Sequence, residues 1–385
     1  MNLEDIRAEI DEIDGQLLPL FLRRMECAKR VAEIKAESGA PVYDEKRERG
    51  ILDGIARKAG GYGGEARILF ANLMAMSRAV QHGMLGSGAP LREAVRGAGG
   101  EAPRAARVAC LGQAGSFSHE ALLKLYPGAR PLFYEDFASI FAAVQTGDAD
   151  LGVLPVENSS AGSVGEVYDL MLKFRFSIVG AISLPVAHCL ASSESGLGGI
   201  RTVYSHPQAL RQCSEFLEKN GLAAEKASST ADAAKQAERP GAAAVCSEYA
   251  ASRHGLHILA RGIQNSTANR TRFIAIGRSL YLPENATKIS VCFSVPHRTG
   301  TLYGVLARFA AAGLNLTKIE SRPIPDRNFE YDFYLDFTGN VHDAKTLDLL
   351  CALYDELPRF SFLGNYAEAD CGVPRLSGPA VRDGK

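Results

Sequence analysis

For its first 85 residues the chain offers nothing that reads as a strand. Apolar residues recur at intervals of three and four, at Leu3, Ile6, Ile10, Ile13, Leu17 and Leu20, then at Ala28 and Val31. That is the spacing of a core-facing or coiled-coil helix. Such a segment can fold only as helices whose stripe is covered by something else. From residue 107 to about 280 the pattern changes. Short apolar runs such as "LGVLPV", "AAAVCS" and "RFIAIG" alternate with helical patterns, as in an α/β domain. From 287 the order reads strand, helix, strand, strand, helix, strand. That βαββαβ order predicts a ferredoxin-like α+β domain. "GSGAPLREAVRGAGGEAPRAAR", rich in Gly, Ala and Pro, reads as a linker, and the end of the chain as a disordered tail. The expectation is a multidomain protein: an all-α domain over 1–86, a linker over 87–106, an α/β domain over 107–280, an α+β domain over 287–366 and a tail over 367–385.

Composition excludes several classes. The net charge of -1 over 385 residues leaves no global field to attract nucleic acid or an anionic membrane. The acidic, periodic start "MNLEDIRAEIDEID" is unlike a signal peptide. No apolar run approaches the ~18 residues of a membrane span. The eight cysteines are scattered, without CxxC pairs or histidine clusters. A zinc site or disulfide framework is not expected, and free thiols in a reducing cytoplasm are.

Polar residues interrupt the apolar helical pattern at particular places. Arg24 continues the stripe after Leu20, and Lys35 follows Val31. Eleven residues is three helical turns, so the two cations share a face. Charge on a core face is costly unless it is paired or reaches out to water. Arg7 lies about 100° off that face, where a second chain packed antiparallel could supply it. Asp44, Arg47 and Glu48 share one face at the opening of a second helix. Ser77 and Gln81 sit at i and i+4 within the apolar pattern of a third. The Asp44, Arg47 and Glu48 group also reads as a solvated face. Pro19 inside the first helix costs ~3 kcal/mol and predicts a kink, with Gly15 easing the crowding.

In the central segment several strands end in polar loops that open helices. "PVENSSAGSV" presents Glu157, Asn158, Ser159 and Ser160; "YSHPQALRQC" presents Ser205, His206 and Gln212. Taken singly, each is a capped helix. Taken together, such helix N-termini at the carboxyl ends of strands can converge on an anion. In "NSTANRTRFIAIG", Arg270, Thr271 and Arg272 stand where a polar loop becomes an apolar strand. Two permanent cations around one hydroxyl suit a dianionic substrate with a hydroxyl to lose. A solvated strand entry would read the same way.

Three resemblances bear on these alternatives. Residues 3–85, through "IDEIDGQLLPLFLRRM", "VAEIKAESGAPVYDEKRE" and "MSRAVQ", resemble the all-helical chorismate mutase domain. That implies substrate binding by Arg7, Arg24, Lys35, Asp44, Arg47, Glu48, Ser77 and Gln81. Two intertwined chains would share the pocket. Chorismate rearranges intramolecularly, so catalysis needs cations to hold a compact conformer. It also needs donors such as Lys35 and Gln81 at the ether oxygen. Residues 107–280, through "LGQAGSFS", "LPVENSSAGSV", "YSHPQALRQC" and "NRTRF", resemble prephenate dehydratase, whose fold has two α/β lobes around a cleft. There Thr271 would donate to the departing ring hydroxyl. Arg270 and Arg272 would bind carboxylates, and Glu157, Asn158, Ser205, His206 and Gln212 would orient the site. Residues 287–366 resemble an ACT domain, with phenylalanine bound at Gly300, Thr301 and Leu302 and at Glu320, Ser321, Arg322 and Pro323. The family more often has Ala where this chain has Thr301.

The implied protein is a cytoplasmic homodimer or higher homo-oligomer without cofactor or metal. It would convert chorismate to prephenate and prephenate to phenylpyruvate, under inhibition by phenylalanine. Two alternatives are a dehydratase with an inactive mutase domain and a bilobal amino-acid sensor. "NRTRF" and the full set of helical polar residues argue against the sensor, and retention of Arg24, Lys35, Arg47, Glu48 and Gln81 argues against an inactive mutase domain.

Overall fold

The computed structural model describes residues 2–100, 105–324, 327 and 329–370. Helices come first: α1 (Leu3–Ser38), α2 (Glu45–Lys58), α3 (Gly63–Leu85) and α4 (Ala89–Gly97). α1 starts at a capping box, in which Asn2 accepts from the Asp5 backbone and Asp5 accepts from that of Asn2. It runs unbroken through Pro19 and ends at left-handed Gly39. Asp44 caps α2. Of the apolar stripe on α1, Ala28 is buried, while Leu3, Ile6, Ile10, Ile13, Leu17, Leu20 and Val31 remain exposed. The same chain does not cover them.

The stretch expected as a linker holds α4. Pro90 stands at its N-terminus, and Leu91 is buried. The composition misleads because alanine is also the best helix former. At Gly88, which precedes α4, φ is +70°, and an added Cβ would stand 2.5 Å from the Cβ of Cys351. Only glycine permits both that conformation and that approach.

The middle of the chain builds two mixed sheets. The first draws on β1 (Arg107–Leu111), β2 (Arg130–Tyr134), β3 (Leu151–Asn158), β4 (Gly162–Ser163) and β5 (Ser177–Pro185), with helices α5 (Phe117–Leu125), α6 (Phe137–Thr146) and α7 (Gly165–Phe174). The chain then leaves for a second sheet of β6 (Cys189–Ser192), β7 (Thr202–Ser205), β8 (Ala224–Lys226), β9 (Ala242–Cys246) and β10 (His257–Arg261). That sheet carries α8 (Pro207–Gln212), α9 (Ser214–Lys219), α10 (Thr230–Gln236) and α11 (Glu248–Arg253), and its order is β10-β6-β9-β7-β8. The chain returns as β11 (Arg270–Gly277), which lies between β5 and β3 in the first sheet. The polar loop end of β11 therefore sits where the chain crosses back from one lobe to the other.

The last elements are β12 (Lys288–Ser294), α12 (Thr301–Ala311), β13 (Leu316–Pro323), β14 (Tyr331–Thr338), α13 (Ala344–Glu356) and β15 (Arg359–Tyr366). Their βαββαβ order forms a sheet in the order β13-β14-β12-β15. Of the expected tail, β16 (Glu368–Asp370) pairs in parallel with β5. Residues 371–385 lie outside the described residues.

The chain divides into two compact units. One gathers the residues up to 98 with 288–362, and the other 99–287 with 363 onward. In the first, α13 and α12 pack on α3, and α13 also packs on α4. The second has one core under the first sheet, where Val153, Leu184, Phe273 and Ala275 meet Leu122 of α5. Another, made largely of alanine, lies in the second lobe.

Candidate active sites

On the helices, residues distant in sequence come together. Ala28 and Ala32 of α1 are buried and let α1 lie close to α3. This brings the Arg24 guanidinium to Ser77 Oγ and, at 2.6 Å, to the Leu73 carbonyl. Burial pulls the Arg24 pKa below the ordinary arginine value, against the opposing charge of Glu48. Lys35 donates to the Val42 carbonyl at 2.8 Å, which ties the loop before α2 to α1. Its pKa is also lowered, by burial first and then by Arg47. Asp44 accepts from the Arg47 backbone as the α2 cap. Glu48 pairs with Arg78 of α3. Gln81 is buried; its Nε2 bonds the Ser77 carbonyl at 3.3 Å, and its Oε1 has no partner among the described residues. The Ser77 carbonyl, an acceptor, fixes the end of the amide that it meets as nitrogen, whose second N–H can be offered to a ligand. Arg7 is exposed, and from Arg24 it is 17 residues back along one unbroken helix, about 25 Å. It cannot reach the same pocket within one chain.

On the strand, neighbours in sequence separate. β11 pairs residue for residue with β5 from Arg270 to Ala275, so its side chains alternate between faces. Arg270 donates through Nε to Ser183 Oγ and through Nη2 to the Ser183 carbonyl, each at 3.0 Å. Arg272 pairs with Glu368 at 2.8 Å and donates to Tyr366 Oη at 2.6 Å. Glu157 stands opposite Arg272 in the ladder. The expected bracket of two cations around one hydroxyl is thus not what a strand builds: Thr271 faces the other way, on the side of Phe273 and α5.

What Thr271 meets is Asn158, its cross-strand partner. Asn158 Oδ1 accepts from the backbones of Ser160 and Ala161 at 3.0 and 2.9 Å. Its Nδ2 donates to Asn269 Oδ1 at 2.9 Å and to Thr271 Oγ1 at 2.8 Å. The two backbone donors fix which end of the amide is oxygen. Thr271 Oγ1 is therefore an acceptor toward Asn158, and its own proton is left to point elsewhere.

The remaining expected residues are spread over the second lobe. Ser205 is fully buried and donates to the Val245 carbonyl at 2.6 Å, a bond internal to the sheet. His206 is exposed and caps α8 through Nδ1. Gln212 Oε1 lies 3.1 Å from His188 Nε2. His188 itself is buried against Phe117, its Nδ1 has no partner among the described residues, and burial lowers its pKa.

Comparison with known proteins matches both segments of the chain. Residues 6–82 match the family model for chorismate mutase type II, and 108–280 that for prephenate dehydratase. The bifunctional chorismate mutase/prephenate dehydratase of Aquifex aeolicus is 34% identical over 380 residues, which covers 96% of this chain and 98% of that one. This chain belongs to the bifunctional chorismate mutase/prephenate dehydratase family. Among solved structures, a chain described as a novel type of quorum quenching acylase, GqqA, is 31% identical with TM-score 0.63, covering 68% of this chain and 98% of that one. The prephenate dehydratase of Arthrobacter aurescens in complex with L-Phe is 29% identical with TM-score 0.61, covering 68% and 90%.

The bifunctional enzyme has a third feature, in its βαββαβ segment. A cavity of about 220 Å³ is lined by Gly300, Thr301, Leu302, Tyr303, Tyr331 and Phe333, among others. Gly300 has φ +82° and caps α12. Thr301 Oγ1 donates to the carbonyls of Pro296 and Arg298 at 2.8 and 2.9 Å, closing the loop at the mouth. Glu320, Ser321, Arg322 and Pro323 lie on the edge strand β13. None of these four lines the cavity, although Pro323 pairs with Tyr331, which does.

Sequence reasoning passed over Asn269, Arg78 and Glu356. Asn269 was legible as the residue before "RTRF" but has no chemistry alone. Arg78 and Glu356, 278 residues apart, carry no local signal at all. Glu356 of α13 is buried. Burial would raise its pKa, but the His82 hydrogen bond and the charges of Arg308 and Arg78 outweigh it and hold the group down to about 2.

Proposed function

We propose that the helical pocket performs the rearrangement of chorismate and that Thr271 is the proton-donating hydroxyl of the dehydratase. In the first step Arg24, Lys35 and Arg47 hold the two carboxylates in the compact conformer, and the second N–H of Gln81 Nε2 meets the ether oxygen as charge develops. In the second, prephenate's ring carboxylate leaves as carbon dioxide and its electron pair aromatises the ring. The hydroxyl departs from the opposite ring carbon, taking a proton as water. A threonine hydroxyl is too weak an acid to act alone, so Thr271 serves as a hydrogen-bonding relay. The observation that carries this reading is the fixed Asn158 amide. By using an acceptor lone pair of Thr271, it leaves the hydroxyl's proton to be donated to a group other than Asn158.

Two further elements complete the reading. The uncovered α1 stripe packs against a second copy, which brings Arg7 to the Arg24 pocket of its partner. The C-terminal segment is an ACT module whose cavity at Gly300–Leu302 takes phenylalanine, with β13 completing the site across a dimer. The free thiols fit a cytoplasmic enzyme.

Subunit complementation tests the shared pocket. Arg7→Ala and Arg24→Ala chains should each lack mutase activity. Co-expressed, they should recover about a quarter of the wild-type rate, since half of random dimers carry one intact site of two. No recovery in mixed dimers would place Arg7 and Arg24 in the same chain's chemistry or in none.

A further inference from the structure

Arg78 lies next to Ser77 on α3 and has no counterpart among the residues expected to touch substrate. It nonetheless meets two carboxylates and an aromatic ring. Its Nη1 pairs with Glu48 on α2, and its Nε lies 3.2 Å from Glu356 Oε1 on α13. Its guanidinium carbon stands 4.8 Å from the centre of the Tyr43 ring, just before the α2 cap. The side chain is 13% exposed, against 22% for Glu48 and 7% for Glu356. Glu356 in turn holds His82 Nε2 at 2.7 Å and Arg308 Nη1 at 2.9 Å. The helix that carries Glu356 is fixed to the α3–α4 corner. Gly88 N donates to Asp355 at 2.9 Å, and Arg92 pairs with Asp348 at 2.5 Å.

A carboxylate in a pocket for a dianion works against binding unless its charge is offset and its direction set. Chorismate's one hydroxyl is its only proton donor at neutral pH, so Glu48 can serve binding only by accepting from it. Arg78 supplies both the offsetting charge and the direction. Left to itself, a guanidinium beside this pocket could instead swing to the substrate's carboxylates. Its planar fork, held on one side by Glu356 and on another by Glu48, cannot do so without breaking a buried ion pair, and that is strongly unfavourable.

We propose that Arg78 is a positioning residue for the mutase reaction and that Glu356, contributed by the C-terminal segment, is its anchor. The geometry of a pocket in the N-terminal helices is then set in part from α13. This rests on the reading that Glu48 faces substrate.

The test is steady-state mutase kinetics of the full-length enzyme, with dehydratase activity on supplied prephenate as the folding control. A hydroxyl contact made in both ground and transition states appears in KM. Arg78→Met should raise the chorismate KM about tenfold, with kcat within about threefold. Arg78→Lys keeps the charge without the fork and should recover only part of the loss. Glu356→Gln should raise KM by roughly three- to tenfold. Combined with Arg78→Met, it should add little, because the two act through one chain of contacts. A merely structural role would lower the active fraction, and so kcat, without moving KM. If Arg78→Met and Glu356→Gln leave KM within about twofold while Glu48→Gln raises it tenfold, Glu48 works without them and the proposal is wrong. Additive effects of the two substitutions would overturn the anchoring role of Glu356. If Glu48→Gln also changes nothing, the reading of Glu48 falls and the proposal with it.

Discussion

In the helical pocket, residues far apart in sequence converge: Arg24 and Lys35 from α1, Glu48 from α2, and Ser77, Arg78 and Gln81 from α3. At the head of β11, residues adjacent in sequence diverge. Arg270 and Arg272 turn to Ser183, Tyr366 and Glu368, while Thr271 turns to Asn158. The two backbones impose opposite rules. A helix returns to the same face every third or fourth residue, so polar residues set into an apolar stripe already mark a shared site. A strand returns every second residue, so a contiguous motif cannot be a contiguous site. On a strand the partner of a catalytic side chain must be sought on the neighbouring strand, which the local sequence does not name.

The difference can be broken by substitution. Arg24→Ala removes the cation that bridges α1 and α3, and it should cost mutase activity about 10³-fold or more, since the substrate's carboxylates lose a fixed partner. Dehydratase activity on prephenate should be unchanged. A folded variant with mutase turnover near that of the wild type would show that convergence on a helix face is packing alone. On the strand, Thr271→Val keeps shape and loses the hydroxyl. A lost transition-state donor costs roughly 10²- to 10³-fold in kcat, with little change in KM. Asn158→Ala leaves that hydroxyl in place but free to rotate, and should cost about tenfold in kcat, near the value of one hydrogen bond. If Asn158→Ala were as damaging as Thr271→Val, the amide itself would be touching substrate.

Much of this molecule could be read from its sequence, and for stated reasons. The helices of the first 85 residues and the βαββαβ order of the last segment follow from periodicity. Arg24, Lys35, Ser77 and Gln81 were visible as polar residues inside an apolar stripe. Three things were hidden. The helix α4 looked like a linker because glycine, alanine and proline dominate the longer stretch that contains it, and only burial of Leu91 and the close fit of Gly88 on Cys351 reveal it. The orientation of Thr271 depends on cross-strand register, which couples positions 158 and 271. The Arg78–Glu356 pair depends on α13 packing against α3, a contact between segments whose patterns are each complete without the other.

Arg272 gives the finest test of the contrast. It stands beside Thr271 in sequence, so a reading by adjacency makes it a substrate ligand, and its loss would raise the prephenate KM by 10²-fold or so. The strand turns it away, toward Glu368 on β16 and Tyr366 on β15. In that position its charge holds the end of the sheet together. Arg272→Gln should therefore lower dehydratase kcat/KM by no more than about tenfold. Glu368→Gln, which breaks the same ion pair from the far side, should do much the same. The two together should cost little more than either alone, as expected for a single shared interaction. A large rise in KM for Arg272→Gln with no effect of Glu368→Gln would mean that the arginine reaches substrate after all. The separation of faces on β11 would then be a feature of the unliganded strand only.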